Sequence, residues 1–308
     1  MTEIATAAKA LQDGSLVAFP TETVYGLGAD ATNPSAVARI FDVKGRPKNH
    51  PLIVHVLDVS QINDWAREIP SYAVELANAF WPGPMTLVLR RTDLAKDFIT
   101  GSQDTVGLRI PSHPVARELL RTFSELGGKG VAAPSANLFG RVSPTSAPDV
   151  LAELGERLVS GDLILDGGSA EVGVESTIID CTRSAPAVLR PGAITKGMIQ
   201  EVTGLDLLDE QTEIRVSGSL ESHYAPRAKV LLDQEPLAGD GLVALSSIPT
   251  PSGVIRIASP DNSEQYARML YGALREADRL GLERVVAVLP EGEDIAVAVR
   301  DRLKRSGA

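Results

Sequence analysis

Cysteine is nearly missing from this chain. Cys181 is the only one in 308 residues, so no disulfide can close within the chain and no thiolate zinc cage can be assembled from it. Its setting, Ile178-Ile-Asp-Cys181, reads as a buried strand thiol ahead of a nucleophile. Long apolar runs are also missing: no window approaches ~18 consecutive apolar residues, so nothing is expected to span a membrane. The first residues carry Glu3 and lack a basic start leading into an apolar core, which predicts a cytoplasmic protein without a secretory signal. Basic charge is in deficit. Thirty Lys+Arg against forty Asp+Glu give a formal charge of −10, which works against broad attraction to nucleic acid or anionic lipid. The patterns Gly-x-x-x-x-Gly-Lys-Ser/Thr and His-Glu-x-x-His are absent, and four scattered histidines predict no protein metal site. Neither internal repeats nor low-complexity segments interrupt the chain.

What is present is an ordinary globular composition, 44% hydrophobic and 23% charged, long enough for two domains. Ile4, Ala7, Ala8 and Leu11 fall at helical spacing, with Gly14 as the stop, and Leu16-Val-Ala-Phe19 follows as a short buried strand. Asn33-Pro34 reads as an N-cap with proline in the first turn of a helix ending near Gly45. Strands are expected over 52–57, 85–89, 106–110, 131–133, 163–166, 176–180 and 187–189, and helices over 72–80 and 115–126. This mixture predicts an α/β sheet with parallel and antiparallel neighbours over residues 1–204. Residues 205–228, turn-rich through Ser217-Gly-Ser219 and then His223-Tyr-Ala-Pro-Arg227, read as a linker. Over 229–308, strands at 229–232, 241–245, 253–257 and 284–289 alternate with helices at 265–280 and 295–303, the pattern of a small Rossmann-like domain.

Two neighbouring stretches carry the most information: Phe19-Pro-Thr-Glu-Thr-Val-Tyr-Gly-Leu-Gly28, and Lys44-Gly-Arg46-Pro-Lys48-Asn-His50-Pro-Leu. Together they set a basic, glycine-punctuated anion site in an acidic chain. Taken alone, Lys44 and Arg46 fit C-terminal capping of a helix as well as they fit a ligand site. Ser135 and Asn137, after the strand at 131–133, fit a helix cap or a turn equally. Thr21-Glu22-Thr23 suits strand-end hydrogen bonding, and His55, on an apolar strand, reads as a core histidine. Gly26-Leu-Gly28-Ala-Asp-Ala31 meets a G-x-G-x-x-A pattern, but the acidic strand end expected ~20 residues on is absent.

With Ser135-Ala-Asn137, Glu175-Ser-Thr-Ile178, Leu189-Arg-Pro-Gly192 and His223-Tyr-Ala-Pro226 in order behind them, these stretches make the chain resemble the Sua5/YrdC family of threonylcarbamoyl-adenylate synthases over most of its length. The resemblance implies a YrdC-like twisted mixed sheet with flanking helices, a linker that acts as an active-site lid, and a smaller Sua5-type domain. It implies a nucleotidyltransferase that makes threonylcarbamoyl-AMP and pyrophosphate from L-threonine, bicarbonate or CO₂ and ATP, feeding threonylcarbamoyladenosine modification of tRNA by a downstream transferase machinery. By the same resemblance Lys44, Arg46, Ser135 and Asn137 match the Lys-x-Arg and Ser-x-Asn motifs and form the catalytic constellation. Arg46, His50, Thr105, Ser135, Ser143, Arg190 and Tyr224 face ATP, with His50 standing where the family pattern has asparagine. Thr23, His55, Ala133, Arg109 and Ser176 hold threonine, Arg109 pairing the substrate carboxylate as a planar fork. Any metal would be Mg²⁺ arriving with ATP. Two other classes compete: an RNA-binding translation factor, disfavoured by the acidic balance, and a carbamoyl-transfer enzyme of the hydrogenase-maturation kind, whose cysteine-rich zinc fingers one cysteine cannot supply.

Overall fold

The structure, a computed structural model, describes residues 3–209, 213–218 and 223–307. Parts of the expected linker, Ser219 among them, lie outside the described residues. The chain opens with α1 (Glu3–Gln12), β1 (Val17–Phe19), β2 (Gly26–Asp30), α2 (Pro34–Lys44) and β3 (Ile53–His55). It continues through α3 (Ile62–Trp65), β4 (Ala66–Arg67), α4 (Ser71–Phe80), β5 (Met85–Arg91), α5 (Asp97–Thr100) and β6 (Thr105–Arg109). Then come α6 (Pro114–Glu125), β7 (Val131–Ala132), α7 (Ala147–Leu154), β8 (Leu163–Ile164), β9 (Thr177–Asp180), β10 (Ala187–Arg190) and α8 (Lys196–Thr203).

Ten of these strands make one mixed sheet, in the order β10-β9-β5-β6-β3-β7-β2-β1-β8, with β4 paired to the far end of β5. The pairs β5–β9, β3–β6 and β1–β8 are parallel and the others antiparallel. Local signals place the flanking helices. In α2 the Asn33 side chain accepts from Ser35 N and Ala36 N, and Gly45 ends the helix at φ 63°, a left-handed turn that glycine enters without penalty. In α6 the buried set Ala116, Leu119, Leu120 and Phe123 repeats at helical spacing and packs against α1 and the sheet edge.

The glycines of the first motif are not a phosphate loop. Gly26 and Gly28 lie within strand β2. A Cβ at Gly28 would come within 2.8 Å of both Phe19 and Val131, so glycine lets side chains of both neighbouring strands close over β2 there. These glycines belong to the sheet, and Gly26 borders the pocket described below.

The second unit holds β11 (Lys229–Leu232), β12 (Gly241–Val243), β13 (Ile255–Ala258), α9 (Ser263–Arg279), β14 (Arg284–Ala287) and α10 (Ala296–Ser306). Its four-stranded sheet, ordered β11-β14-β12-β13, is parallel throughout, with α9 crossing over between β13 and β14. This is the expected smaller α/β domain. The two units share apolar packing: Val24, Val142 and Val174 of the first join Tyr266, Leu270, Tyr271 and Leu274 of α9 in one cluster. At the same boundary Gly173 has φ +82°, and a Cβ there would lie 2.4 Å from Ala267 O and from Arg268 Cα. Among the described residues, no helix is long and apolar enough to cross a membrane.

Candidate active site

The sheet brings the scattered motifs to one pocket. Parallel pairing of β3 with β6 puts His55 opposite Arg109, and the bridge Gly26–Ser135 fixes the loop after β7 against β2. The pocket is lined by Lys44, Arg46, His55, Arg109, Ala133, Ser135, Asn137, Ser176, Arg190 and Tyr224 among the residues expected from sequence. Thr21, Glu175, Phe139, Ser217, Gly218 and His223 line it as well. Four expected residues stand back from it. Thr23 is fully buried behind Thr21, their hydroxyls 2.8 Å apart. Ser143 is buried behind Glu175 and donates to its Oε1 at 2.6 Å. Thr105 borders a neighbouring apolar cavity with Ile53, Val88 and Ile178. His50 packs edge-on against the Phe139 ring, 5.4 Å between centroids.

Lys44 ends α2, yet its ammonium does not cap that helix. Nζ donates to the carbonyl oxygens of Ser135, at 2.6 Å, and Asn137, across to the loop after β7, leaving one donor for a ligand. Burial and then the neighbouring Arg46 push its pKa well below the ordinary lysine value. Arg46 donates from one terminal nitrogen to Pro51 O and Ser217 Oγ, each at 3.1 Å, and its guanidinium lies 5.8 Å from the Phe139 ring centre. Burial, with Arg190 nearby, lowers it to about 10. Asn137 partly performs the turn-stabilising role: Nδ2 donates to Leu138 O and Arg141 O, while Oδ1 stays unpartnered.

Arg109 already has a carboxylate. Its terminal nitrogen meets Glu22 Oε1 at 2.6 Å, both side chains buried, and Glu22 also accepts from Ser112 N. Burial alone would raise Glu22, but the Arg109 charge and hydrogen bond hold it below the usual carboxylate range. Arg109 Nε, His55 Nδ1 and Arg46 Nε are buried without a hydrogen-bond partner. Burial first, and then Arg109, drop the His55 pKa to about 3, so the ring is neutral at physiological pH. Ser176 exchanges a hydrogen bond with Thr86 at 2.8 Å and receives Arg190 on both its carbonyl and its hydroxyl.

The segment at 213–218 and the His223-Tyr224 pair form the wall opposite. Gln103 grips the backbone of Arg215 at two points, accepting from its N–H at 2.7 Å and donating to its C=O at 3.0 Å. Arg190 donates to Ser217 O at 2.9 Å. Tyr224, at φ 63°, stacks on Tyr271 of α9 with centroids 5.6 Å apart. It therefore faces the pocket and packs on the second unit at once. With this wall in place the cavity is about 50 Å³, room for a few waters and not for a nucleotide.

Glu22, Glu175 and His223 stand within the sequence motifs but carry no assigned role there, and Tyr271 and Arg302 lie outside every motif. The signal for Glu175 was its place beside Ser176. For Tyr271 and Arg302, both on amphipathic helices more than ninety positions away, no local signal exists. Among the described residues, no three of His, Cys, Asp and Glu converge as a metal site.

Both units of the chain are similar to known proteins. Residues 9–192 match the family model Sua5_yciO_yrdC, described as telomere recombination, and residues 194–308 match one described as threonylcarbamoyl-AMP synthase, C-terminal domain. The chain is 39% identical to the threonylcarbamoyl-AMP synthase of Pyrococcus abyssi, over 99% of this chain and 94% of the relative. It is 37% identical to that of Bacillus subtilis, over 99% and 92%. The crystal structure of P. abyssi Sua5 complexed with L-threonine superposes with a TM-score of 0.89 at 37% identity, covering 99% of this chain and 94% of that one. Both modules, in the same order and across nearly the whole length of its relatives, are present here, and the chain belongs to the Sua5/YrdC family in its Sua5-type, two-module form.

Proposed function

We propose that this protein is a threonylcarbamoyl-AMP synthase, forming threonylcarbamoyl-AMP and pyrophosphate from L-threonine, bicarbonate or CO₂ and ATP, and so supplying tRNA threonylcarbamoyladenosine modification. The observation that carries the reading is the pocket itself: buried cations, Arg46 and Arg109 with Nε unpartnered and Lys44 with one donor to spare, beside a neutral histidine and small hydroxyls. Such a pocket suits a polyanion and an amino-acid carboxylate together. Near-full-length identity with enzymes of that name supports it.

In this reading the amine of threonine adds to CO₂ and gives up a proton to solvent, or displaces water from bicarbonate, and a carbamate results. Its oxygen attacks the α-phosphorus of ATP, the new O–P bond forming as the bond to the β-phosphate oxygen breaks and pyrophosphate leaves. The carbamate is already anionic, so no covalent protein nucleophile is required, and the residues act by alignment and charge. Arg46 and the remaining donor of Lys44 face the polyphosphate, while Arg109, oriented by Glu22, offers Nε to the threonine carboxylate. Mg²⁺ enters with ATP as part of the substrate and keeps most of its waters. The wall at 217–218 and 223–224 has to open to admit nucleotide, and on closing it excludes water from the labile product.

The test is pyrophosphate release with ATP, bicarbonate and single amino acids, with products identified by mass spectrometry. Threonine should support turnover and serine should be weaker by about one to two orders of magnitude, since a missing methyl is worth ~1–3 kcal/mol. Release independent of the amino acid, or equal turnover of alanine and threonine, would overturn the proposal.

A further inference from the structure

Glu175 is the pocket residue most completely claimed by the second unit. It is 6% exposed and both carboxylate oxygens are engaged. Oε1 accepts from Ser143 Oγ at 2.6 Å, and Oε2 accepts from the Tyr271 hydroxyl and from Arg302 Nε, each at 2.8 Å. Tyr271 lies on α9 and Arg302 on α10. Arg302 is fully buried and donates also to Pro191 O at 3.0 Å, on the turn that follows Arg190. Its guanidinium lies 5.3 Å from the centre of the Tyr224 ring. Helix α10 reaches the same wall through its backbone and a hydroxyl: Arg305 O accepts from His223 N at 3.1 Å, and Ser306 Oγ donates to Tyr224 O at 3.0 Å.

We infer that Arg302 is a positioning residue of the active site, fixing the Glu175 carboxylate and the Tyr224 ring in one arrangement so that the nucleotide side of the pocket is completed by the second domain. The inference rests on the proposed activity and extends it to a residue outside every motif of the first domain. A carboxylate buried this deeply takes up a proton unless a cation opposes it. Arg302 and Arg190 are the cations facing Glu175. The other titratable groups around it are the Tyr271 and Tyr224 hydroxyls and His223, with Asp301 beyond, paired to Arg302. Burial would raise Glu175, and Arg302 followed by Arg190 more than offsets it, holding the carboxyl at about 2. Replacing the guanidinium removes the largest opposition to that burial and leaves Arg190 and the Ser143 hydrogen bond, so the Glu175 pKa rises. Once protonated, the carboxyl ceases to be a pure acceptor for Ser143 and no longer balances Arg190.

The experiment compares Arg302→Met, Arg302→Lys and the double variant Glu175→Gln/Arg302→Met with the parent enzyme, measuring KM for ATP, KM for threonine and kcat from pH 5 to 9. Arg302→Met should raise KM for ATP by about tenfold or more, the loss expected of a charged hydrogen bond, while KM for threonine moves less than about threefold. That rise should carry a pH inflection absent from the parent and abolished in the double variant. Arg302→Lys, keeping the charge without the fork, should recover part of the loss. If both Arg302 variants fail to fold, Tyr271→Phe removes a single hydrogen bond to the same carboxylate and should shift KM for ATP in the same direction. Unchanged KM for ATP, or loss of kcat in proportion to folded protein with no pH inflection, overturns the inference. Calorimetric titration with ATP alone separates it from the activity. If the parent makes no threonine-dependent product yet binds ATP, weaker and pH-dependent binding by Arg302→Met still supports the positioning role, and identical binding overturns it. Absence of ATP binding by the parent overturns both.

Discussion

At the scale of single residues, the site is a place where ionisable side chains are held away from their usual protonation. His55 and His223 are both buried and both brought to about 3, in each case chiefly by burial, with Arg109 adding to it at His55 and Lys44 and Arg46 at His223. In the unfolded chain each would titrate near 6.5. Between those values the unfolded state binds more protons than the folded one, so stability rises with pH across the window and is lost as pH falls below about 6.5. The buried carboxylates Glu22 and Glu175 are lowered as well, so their share of the stability is lost on the same acid side, but only below about 4.5. Urea unfolding should therefore weaken already between pH 7 and 5, by on the order of 1–2 kcal/mol for each histidine, and His55→Gln should flatten that limb if the fold tolerates it. A profile flat down to pH 5 would contradict the burial of these rings as uncharged groups. The identity of these residues was legible in the motifs, but their protonation was not, because it follows from neighbours on other strands.

Elements were legible wherever a local device announces them. The Asn33-Pro34 start and Gly45 stop of α2, and the apolar spacing of α6 and α9, place those helices within a few residues of where they are found. Strand β2 is not announced by its sequence, because Gly-Leu-Gly-Ala-Asp carries none of the β-branched or aromatic residues that mark strands. Helix α7 went unread, although Ser146 and Asp149 form a capping box, and so did α8, capped by Thr195. What no periodicity reports is where one element lies against another. Gly173 is such a place, since α9 passes so close that only a hydrogen fits. Gly173→Ala combines a left-handed backbone with a collision against main-chain atoms and should cost on the order of 2–5 kcal/mol. Chemical denaturation should show that loss; a change below about 0.5 kcal/mol would mean that the two units do not pack as described.

For the whole molecule, the division into a larger mixed-sheet part and a smaller parallel one could be read from the polar, turn-rich stretch between them. The way the smaller part closes over the larger could not, because residues such as Arg302 look from sequence like the solvated charges of a terminal helix. Excision after Gly218 removes one wall of the pocket and should weaken ATP retention and product protection. The shared cluster argues for more: Val24, Val142 and Val174 lose their cover, at about 1.5–3 kcal/mol for each valine fully uncovered. The truncated protein should melt earlier and bind a hydrophobic dye, and equal melting with unaltered ATP retention would count against the closure. The Glu175–Arg302 contact also has a meaning in time. Its partners are 127 positions apart, and a ribosome adding about 5–20 residues per second needs about 6–25 s to bridge them. During that interval Glu175 lacks Arg302, while Arg190, the 217–218 segment, Tyr224 and Tyr271 follow it from the ribosome one after another. With Arg302 in the positioning role inferred above, the nucleotide side of the pocket is complete only once helix α10 has been made.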